Sequence, residues 1–296
     1  MNASGSTSGT RPALETIAVL GAGTMGHGIA QVAAQAGYLV ILRDIDKASL
    51  VRGVGAIERN LNKGITHGKV TEEERDMALQ RIRGTVHLAE TSEADLFIEA
   101  APEVLEMKRN ILGEVEQLAR KPFIFATNTS SLSIEEIARE ALRPEAVVGM
   151  HFFNPVHIMR LLEIVVGPET SAEAVEAVRE VGLRMRKEPI TVRDVPGFAS
   201  SRLGVALGLE AMRMLEQNVA SARDIDRAME LGYNHPVGPL RLTDLVGLDV
   251  RLHIAEYLYL ALQSESFRPP EILKRMVSEG KLGKKSGEGF YEWDDQ

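Results

Sequence analysis

The sequence predicts an α/β domain with a mostly parallel sheet, followed by an all-helical domain. In the first two thirds of the chain, short apolar runs such as IAVL at 17–20 alternate with helical periodicity, which is typical of a parallel sheet covered by helices. After about Val192 only helical periodicity remains, and the Pro196-Gly197 pair is typical of a boundary. We therefore expect a sheet domain at 15–195 and a helical domain at 196–296.

Length and composition exclude several classes of protein. The 296 residues favour two domains. A net charge of −8 argues against a nucleic-acid-binding protein, and no run reaches the roughly 20 apolar residues of a membrane span. The absence of cysteine excludes disulfides, thiolate catalysis and cysteine-bound zinc, and is compatible with a cytoplasmic location. No cluster of His, Asp and Glu has metal-ligand spacing, so we expect no metal.

The elements of the sheet domain follow from short patterns. Residues 1–14 are rich in Gly, Ser and Thr and lack the apolar core of a secretory signal, so we expect a disordered extension. A strand, a glycine-rich turn, a helix closed by Gly37 and a second strand ending at Asp44 form a βαβ unit. Helices are then predicted over 48–64 and 71–82, and further strands at DLFIEA, FIFAT, AVVGMHFF and RLLEIVV, with helices at LEMKRNILGEVEQLA and IEEIAREAL.

The helical domain shows four segments of helical periodicity. They are GFASSRLGVALGLEAMRMLEQN, SARDIDRAMELG, RLTDLVGLDVRLHIAEYLYLALQ and PEILKRMVSEG. A second apolar face on these helices is typical of a dimer interface.

The first turn carries the G-x-G-x-x-G pattern of dinucleotide-binding proteins. Gly21 makes the turn, Gly23 lets the backbone approach a pyrophosphate, and Gly26 lets helix and strand pack closely, with Thr24 and Met25 between them. Asp44 lies 18 residues after Gly26, where an acidic residue accepts hydrogen bonds from the adenine ribose. That carboxylate favours NAD over NADP, although Arg43 beside it could tolerate a 2′-phosphate. The pattern does not separate NAD from FAD, or an enzyme from a non-catalytic binder.

The stretch GMHFFNPVHIMRLLEIV at 149–165 holds a histidine, His151, and a carboxylate, Glu163, within an apolar run. Hydride transfer from an alcohol needs a base for the hydroxyl proton, and a histidine held by a carboxylate suits that role. The spacing alone also allows a structural His151 and an exposed Glu163.

This stretch resembles the signature of the L-3-hydroxyacyl-CoA dehydrogenases, including the bacterial 3-hydroxybutyryl-CoA dehydrogenases. GAGTMGHGIAQVAAQAGY, EAAPEVLEMK, ATNTSSLSI, DVPGFASSRL, AMELGYNHPVGPLRLTDLVGLD and LGKKSGEGFYEW resemble further family motifs in the same order, from Ile17 to Tyr291. The resemblance implies a Rossmann-type NAD domain, oxidation of a 3-hydroxyacyl-CoA in fatty acid β-oxidation, and a homodimer formed through the helical domain.

The resemblance also implies roles for individual residues. His151 would be the base, Glu163 its partner, and Ser130 the donor to the substrate C3 oxygen. Residues expected at the cofactor or the reacting centre are Asp44, Glu103, Lys108, Asn128, Asn154 and Lys285. Lys63 and Lys69 would grip the phosphates of CoA.

Two departures from the family pattern affect these assignments. Ser201 stands where the family has Asn, and is still a donor and acceptor. In the CoA turn, Asn60 stands where serine is common and His67 where lysine is common. Two alternatives stay open: a dehydrogenase of a small hydroxy acid without CoA, such as L-gulonate, and a non-catalytic NAD-binding protein.

Overall fold

The computed structural model describes residues 14–293, so all of the expected N-terminal extension except Leu14 lies outside the described residues. Contacts divide the chain into two compact units, and the division falls between Asp194 and Val195. We call residues 14–194 the sheet unit and residues 195–293 the helical unit. The division falls one residue before the boundary predicted from the sequence.

The sheet unit is built on one eight-stranded sheet in the order β3-β2-β1-β4-β5-β6-β7-β8. The strands are β1 Thr16–Leu20, β2 Leu39–Arg43, β3 Ile82–Thr85, β4 Leu96–Glu99, β5 Ile124–Thr127, β6 Val147–Phe152, β7 Leu161–Val166 and β8 Glu188–Arg193. The six strands from β3 to β6 in this order run parallel, and β7 pairs antiparallel with β6. The prediction of a mostly parallel α/β domain followed by helices is confirmed.

Helices connect these strands and cover the sheet. They are α1 Thr24–Gln35, α2 Lys47–Thr66, α3 Glu72–Gln80, α4 Leu105–Leu118, α5 Ile134–Ala138 and α6 Ala172–Arg184. Ile17 and Val19 of β1 and Ile29 and Ala33 of α1 are fully buried in the core of this unit. Fully buried parallel strands need apolar residues on both faces, which explains the continuous apolar runs in the sequence.

The helical unit contains α7 Ser200–Glu216, α8 Ala222–Gly232, α9 Pro239–Val246, α10 Leu248–Leu262 and α11 Glu271–Ser278. Its separate core includes Leu209 and Met212 of α7, Leu240 of α9 and Leu258 of α10. Within residues 14–293, no helix combines the length and apolarity that crossing a membrane requires.

Several elements differ from the sequence-based predictions. The helix predicted over 71–82 ends at Gln80, and Ile82 instead begins β3. The segment predicted as one helical stretch around 241–263 is two helices, because Gly247 adopts a φ of +105° that a helix cannot contain. Helix α6 and strands β3 and β8 were not predicted.

Candidate active site

The glycine loop, residues 21–26, joins β1 to α1 and requires glycine at two positions. Gly21 has a φ of +113°, which side chains rarely adopt. At position 26 a Cβ atom would lie 1.8 Å from the carbonyl oxygen of Gly21, so any side chain there would force α1 away from the strand. The loop therefore brings the first turn of α1 directly against the end of β1.

The outer side of the glycine loop is open. A Cβ atom on Gly23 would meet no atom within 4 Å, and Thr24 beside it is exposed. Gly23 is the N-cap of α1 and no side chain caps the helix, whose first turn contains Thr24, Met25 and Gly26 but no acidic residue. Backbone N–H groups and the positive end of the helix dipole thus face a space that suits a pyrophosphate.

Asp44 follows β2 and closes the glycine loop from the neighbouring strand. Its Oδ2 accepts a hydrogen bond from the N–H of Ala22 at 2.8 Å, and its Oδ1 accepts one from the N–H of Asp46 at 3.1 Å. A carboxylate has about four acceptor sites, so these bonds leave capacity for a ribose hydroxyl. The loop, the helix end and Asp44 together fit the adenosine and pyrophosphate parts of NAD.

His151 and Glu163 meet at the carboxyl end of β6. The two residues are directly paired across the antiparallel ladder of β6 and β7. His151 Nδ1 lies 2.8 Å from Glu163 Oε2, the histidine is 7% exposed and the glutamate is fully buried. A carboxylate on Nδ1 holds the neutral ring in the tautomer whose lone pair is on Nε2.

Ser130 lies in the serine loop, residues 128–133, which follows β5 beside the end of β6. Glu103 organises this loop, because its Oε1 accepts hydrogen bonds from the backbone N–H groups of Ser130 at 2.8 Å and Ser131 at 3.1 Å. The same oxygen accepts hydrogen bonds from the hydroxyls of Thr129 at 2.6 Å and Ser130 at 3.2 Å. Glu103 anchors the serine loop, and its expected place at the cofactor stays a prediction.

Lys108 is 1% exposed and lies between two carboxylates. Its Nζ donates to Glu99 Oε1 at 2.9 Å and to Glu99 Oε2 at 3.0 Å, and lies 3.3 Å from Glu103 Oε2. Burial raises the pKa of Glu103, but the charge of Lys108 and the hydrogen bonds from the serine loop outweigh burial and hold that pKa below its ordinary value. Lys108 was also expected at the cofactor, and its burial instead favours a positioning role.

Glu99 is a residue that sequence reasoning missed. It is fully buried at the end of β4 and also accepts hydrogen bonds from the hydroxyl of Thr127 at 2.7 Å and the N–H of Ala101 at 2.6 Å. The signal available in the sequence was an acidic residue that directly follows the buried strand LFI, because a charge in such a place needs a partner.

The two candidate asparagines occupy different environments. The side-chain oxygen of Asn128 accepts a hydrogen bond from the N–H of Phe152 at 2.9 Å, which ties the serine loop to the residue after His151. Asn154 is exposed in the loop between β6 and β7, three residues after His151. Both therefore lie close to the His151 end of the sheet.

A basic cavity of about 350 Å³ lies elsewhere in the sheet unit. Asn60 and His157 line it together with six cationic residues, Lys69, Arg81, Arg160, Arg184, Arg186 and Lys187. Burial lowers the pKa of Lys187, and burial together with the charges of His27, Lys187 and Lys63 lowers the pKa of His157. Lys69 thus lines an electropositive cavity, whereas Lys63 is exposed near the end of α2 and does not line it.

Two candidate residues lie in the helical unit. Ser201 is half-buried in the first turn of α7. Lys285 pairs with Asp249, with 2.6 Å between Lys285 Nζ and Asp249 Oδ2. Asp244 fixes the segment that follows Lys285, because its carboxylate accepts hydrogen bonds from the backbone N–H groups of Phe290 and Tyr291, each at 2.9 Å.

The described residues 14–293 contain no group of three or more His, Asp or Glu side chains that could hold a metal ion. Three features of the site are together typical of NAD-dependent dehydrogenases. Parallel strands end at a glycine loop, an acidic residue follows the second strand, and a His-Glu pair lies at the same edge of the sheet.

Comparisons with known proteins identify the family. Residues 16–195 match the model described as 3-hydroxyacyl-CoA dehydrogenase, NAD binding domain, and residues 197–293 match the C-terminal domain of the same family. The chain therefore belongs to the 3-hydroxyacyl-CoA dehydrogenase family, and its cofactor is NAD.

The similar proteins are named after two different substrates, 3-hydroxybutyryl-CoA and 3-hydroxyadipyl-CoA. A Deinococcus radiodurans protein named "Probable 3-hydroxybutyryl-CoA dehydrogenase" is 42% identical over 93% of this chain and 99% of its own length. The Escherichia coli 3-hydroxyadipyl-CoA dehydrogenase is 41% identical over 95% of this chain, which spans 59% of that relative. The solved structure of (S)-3-hydroxybutyryl-CoA dehydrogenase from Ralstonia eutropha has a TM-score of 0.92 and 38% identity, and covers 96% of this chain and all of its own.

Proposed function

We propose that this protein catalyses the NAD-dependent oxidation of an L-3-hydroxyacyl-CoA to the 3-oxoacyl-CoA, and the reverse reduction. The observation that carries the proposal is the buried His151–Glu163 pair at the edge of the sheet where the glycine loop also lies. Family membership supports the same reaction. 3-Hydroxybutyryl-CoA is the first substrate to test, because it names several of the similar proteins.

His151 is proposed as the base of the reaction. Bound NAD supplies the acceptor for the hydride that leaves C3 of the substrate. The hydroxyl proton passes to His151 Nε2, since Nδ1 faces Glu163. The imidazolium that results is stabilised by the carboxylate of Glu163, and in the reduction it returns the proton to the oxygen.

Ser130 is proposed to hold the substrate oxygen. Its hydroxyl lies 3.2 Å from Glu103, and on binding it would donate to the C3 oxygen instead. The backbone of the serine loop stays fixed by Glu103 during this exchange, because two backbone N–H groups also bond to that carboxylate. Asn154 and Ser201 are proposed as further polar contacts of the reacting part of the substrate.

The cofactor is proposed to bind along the glycine loop. Gly21, Gly23, Thr24, Met25 and Gly26 would hold the pyrophosphate, and Asp44 the adenine ribose. We propose that Glu103, Asn128 and Lys285 contact the cofactor, whereas Lys108 acts by positioning Glu103 and the serine loop. The burial of Lys108 supports this distinction.

The phosphates of CoA are proposed to bind at the basic cavity. Lys69 lines this cavity, and Lys63 adds a positive charge near its edge. Concentrated positive charge in a concave site suits a polyanion. A small hydroxy acid carries no phosphates, so a basic cavity of this kind favours a CoA ester as the substrate.

The helical unit is proposed to form a homodimer. Exposed apolar side chains lie on α7, α8 and α10, including Leu203, Leu231 and Leu260, each more than 70% exposed. A second copy of the chain would cover such residues, because a two-fold interface places the same surface patch of both copies against each other. Light scattering coupled to gel filtration measures the mass of the assembly, and a monomer at micromolar concentration would contradict the proposal.

A cytoplasmic location is proposed from the absence of cysteine, which is compatible with a reducing compartment. Cell fractionation with an antibody to the chain tests this proposal.

The reaction is tested by NADH oxidation with acetoacetyl-CoA. We expect turnover by the native protein and a loss of ~10²–10⁴-fold in kcat for His151→Ala, because a general base contributes this much. His87→Ala, which removes an exposed histidine, is the matched control. Turnover of L-gulonate but of no CoA ester would favour a small hydroxy acid, and tight NAD binding without turnover of either would favour a non-catalytic binder.

A further inference from the structure

Lys187, which directly precedes β8, is a buried cation that the proposed reaction does not use. The residue is 6% exposed and lines the basic cavity of the sheet unit. Its ammonium forms no ion pair with any carboxylate of residues 14–293, and burial lowers its pKa. A buried ammonium without a counter-charge is costly, so it calls for an anion or a function that compensates the cost.

The partners of Lys187 differ from those of the buried lysine on α4. Lys108 has two carboxylates, Glu99 and Glu103, within 3.3 Å of its Nζ. Lys187 Nζ instead donates to two backbone carbonyl oxygens, that of Val156 and, at 2.8 Å, that of Met159. An ammonium has three N–H donors, so these two bonds leave one for a further acceptor.

The two carbonyls belong to the segment that joins β6 to β7, residues 153–160, which we call the β6–β7 connection. Val156 is 2% exposed, and a Cβ atom on Gly28 would lie 2.9 Å from Val156 Cβ. The connection therefore packs directly on α1, the helix that begins at the glycine loop. Lys187 thus holds a segment that is also fixed to the helix of the cofactor site.

The first residue of the β6–β7 connection lies against the proposed base. The ring centroids of Phe153 and His151 are 4.5 Å apart, with 47° between the ring planes. The next residue, Asn154, is a proposed contact of the reacting part of the substrate. A shift of the connection would move both, and a misplacement of about 1 Å near the reacting groups can lower a rate on the order of 100-fold.

We propose that a phosphate of CoA in the basic cavity pairs with Lys187 and thereby fixes the β6–β7 connection against His151, so that the nucleotide end of the substrate raises kcat as well as affinity. This inference rests on the proposed function. The phosphate supplies the counter-charge that the fold does not, so the ammonium is less costly to keep buried and holds the two carbonyls more firmly. Binding energy from a remote part of the substrate then orients the reacting centre.

The first experiment compares two thioesters with the same reacting part on the full-length enzyme with saturating NADH. Acetoacetyl-CoA carries the phosphates, and acetoacetyl-N-acetylcysteamine lacks them. We expect kcat to be about 10–100-fold higher for the CoA ester, because truncated substrates lose kcat when remote binding energy orients the reacting groups. Adenosine 3′,5′-bisphosphate, added as a separate molecule, should raise kcat for the short thioester by about 10-fold.

Three variants test the part that Lys187 plays. In Lys187→Met the ratio of the two kcat values should fall to about one, and the bisphosphate should no longer raise the rate. Lys69→Ala removes a charge of the same cavity from the loop after α2, and should raise the KM for acetoacetyl-CoA but keep the native kcat ratio. Lys274→Met, which removes a lysine paired with Glu271, should change neither quantity. If Lys187→Met does not fold, the kcat ratio and the bisphosphate effect in the native enzyme decide the question.

The outcomes separate this inference from the proposed function. Equal kcat values of the native enzyme for the two thioesters would overturn the role of the phosphates and leave the reaction intact. An unchanged kcat ratio in Lys187→Met, even with both kcat values reduced, would show that the lysine is only structural. A bisphosphate that does not bind by calorimetry, or that binds without raising kcat, would also overturn the inference. Failure to reduce either thioester would overturn the proposed function itself.

Discussion

Glu163 and His151 lie opposite each other in adjacent antiparallel strands, and 2.8 Å separates Glu163 Oε2 from His151 Nδ1. The glutamate is fully buried, so its charge depends on this partner more than on water. The pair can therefore hold one tautomer of the imidazole and also stabilise the imidazolium that forms when a proton is taken up.

Replacement of Glu163 by Gln should reduce kcat by ~10²–10⁴-fold and change KM little, because a glutamine can donate to Nδ1 and favour the wrong tautomer. Steady-state kinetics with acetoacetyl-CoA and NADH measures the effect. Glu169→Gln removes an exposed carboxylate just after β7 and should retain native kcat. A kcat for Glu163→Gln within a factor of three of native would show that the carboxylate has only a structural role.

Replacement of Asp44 by Ala should lower the preference for NAD over NADP on the order of 100-fold, because a carboxylate repels the 2′-phosphate of NADP. The KM for NAD should also rise, since the N–H of Ala22 loses its acceptor. The ratio of kcat/KM for the two cofactors measures the change.

Asp46→Ala provides a control for this substitution. It removes a second carboxylate two residues away, which caps α2 through the N–H groups of Ala48 and Ser49. We expect its cofactor preference to match that of the native protein. Equal changes in Asp44→Ala and Asp46→Ala would mean that Asp44 does not contact the ribose.

Replacement of Lys108 by Met should lower the free energy of unfolding by ~3–5 kcal/mol, because it leaves Glu99 buried without a counter-charge. The double variant Glu99→Gln with Lys108→Met removes both charges and should recover much of this loss. Urea denaturation measures four free energies of unfolding, those of the native protein, the two single variants Glu99→Gln and Lys108→Met, and the double variant. Additive effects of the two substitutions would show that the pair is not coupled.

Glu103 should contribute stability that depends on pH. The pKa of Glu103 in the folded state lies below its ordinary value. Burial raises this pKa, but the charge of Lys108 and the hydrogen bonds from the serine loop lower it by more. The unfolded state therefore binds more protons in acid, so the contribution of Glu103 is present above the unfolded pKa and is lost as pH falls through the folded pKa. The loss of unfolding free energy in Glu103→Gln should accordingly be larger at pH 7 than at pH 3.

Chemical denaturation at both pH values measures this difference. Glu114→Gln, at an exposed position on α4, should change stability equally at the two pH values. A destabilisation by Glu103→Gln that is the same at pH 3 and pH 7 would mean that the charge of Glu103 contributes nothing.

Replacement of Lys69 by Ala should raise the KM for acyl-CoA by about 3–10-fold and leave the KM for NAD unchanged, because one charge is removed from the basic cavity. The effect should shrink at high salt, which screens the remaining charges. Lys274→Ala, which removes a lysine paired with Glu271 on α11, is the control. A change in the KM for NAD alone would contradict the proposal that the CoA phosphates bind in this cavity.

The sequence was sufficient to predict features that depend on local pattern. The glycine loop, Asp44 and the buried strands β1 and β6 follow from spacing and apolar runs, because glycines at fixed spacing and continuous apolar strands have few alternative structures. The family motifs also predicted that His151 and Glu163 are partners. Their contact itself depends on how β7 pairs with β6, which no local pattern reveals.

Other features escaped prediction because they depend on distant partners. Strand β8, at the edge of the sheet, contains only exposed and half-buried residues, so its apolar signal is weak. Glu103 and Lys108 gave no local sign that they would bond to the serine loop and to Glu99. Arg251 lies in a helical pattern like many surface arginines, and only its packing within the helical unit buries it.

The pairing of β6 with β7 has a consequence for how this protein can change in length. Successive residues of a strand point to opposite faces, so loss of one residue inside β7 would turn Glu163 away and bring an aliphatic neighbour opposite His151. The connecting residues 153–160 are held in a different way, because Val156 is buried in the core of the sheet unit and His157 and Arg160 line the basic cavity. Natural variation in length should therefore avoid both strands.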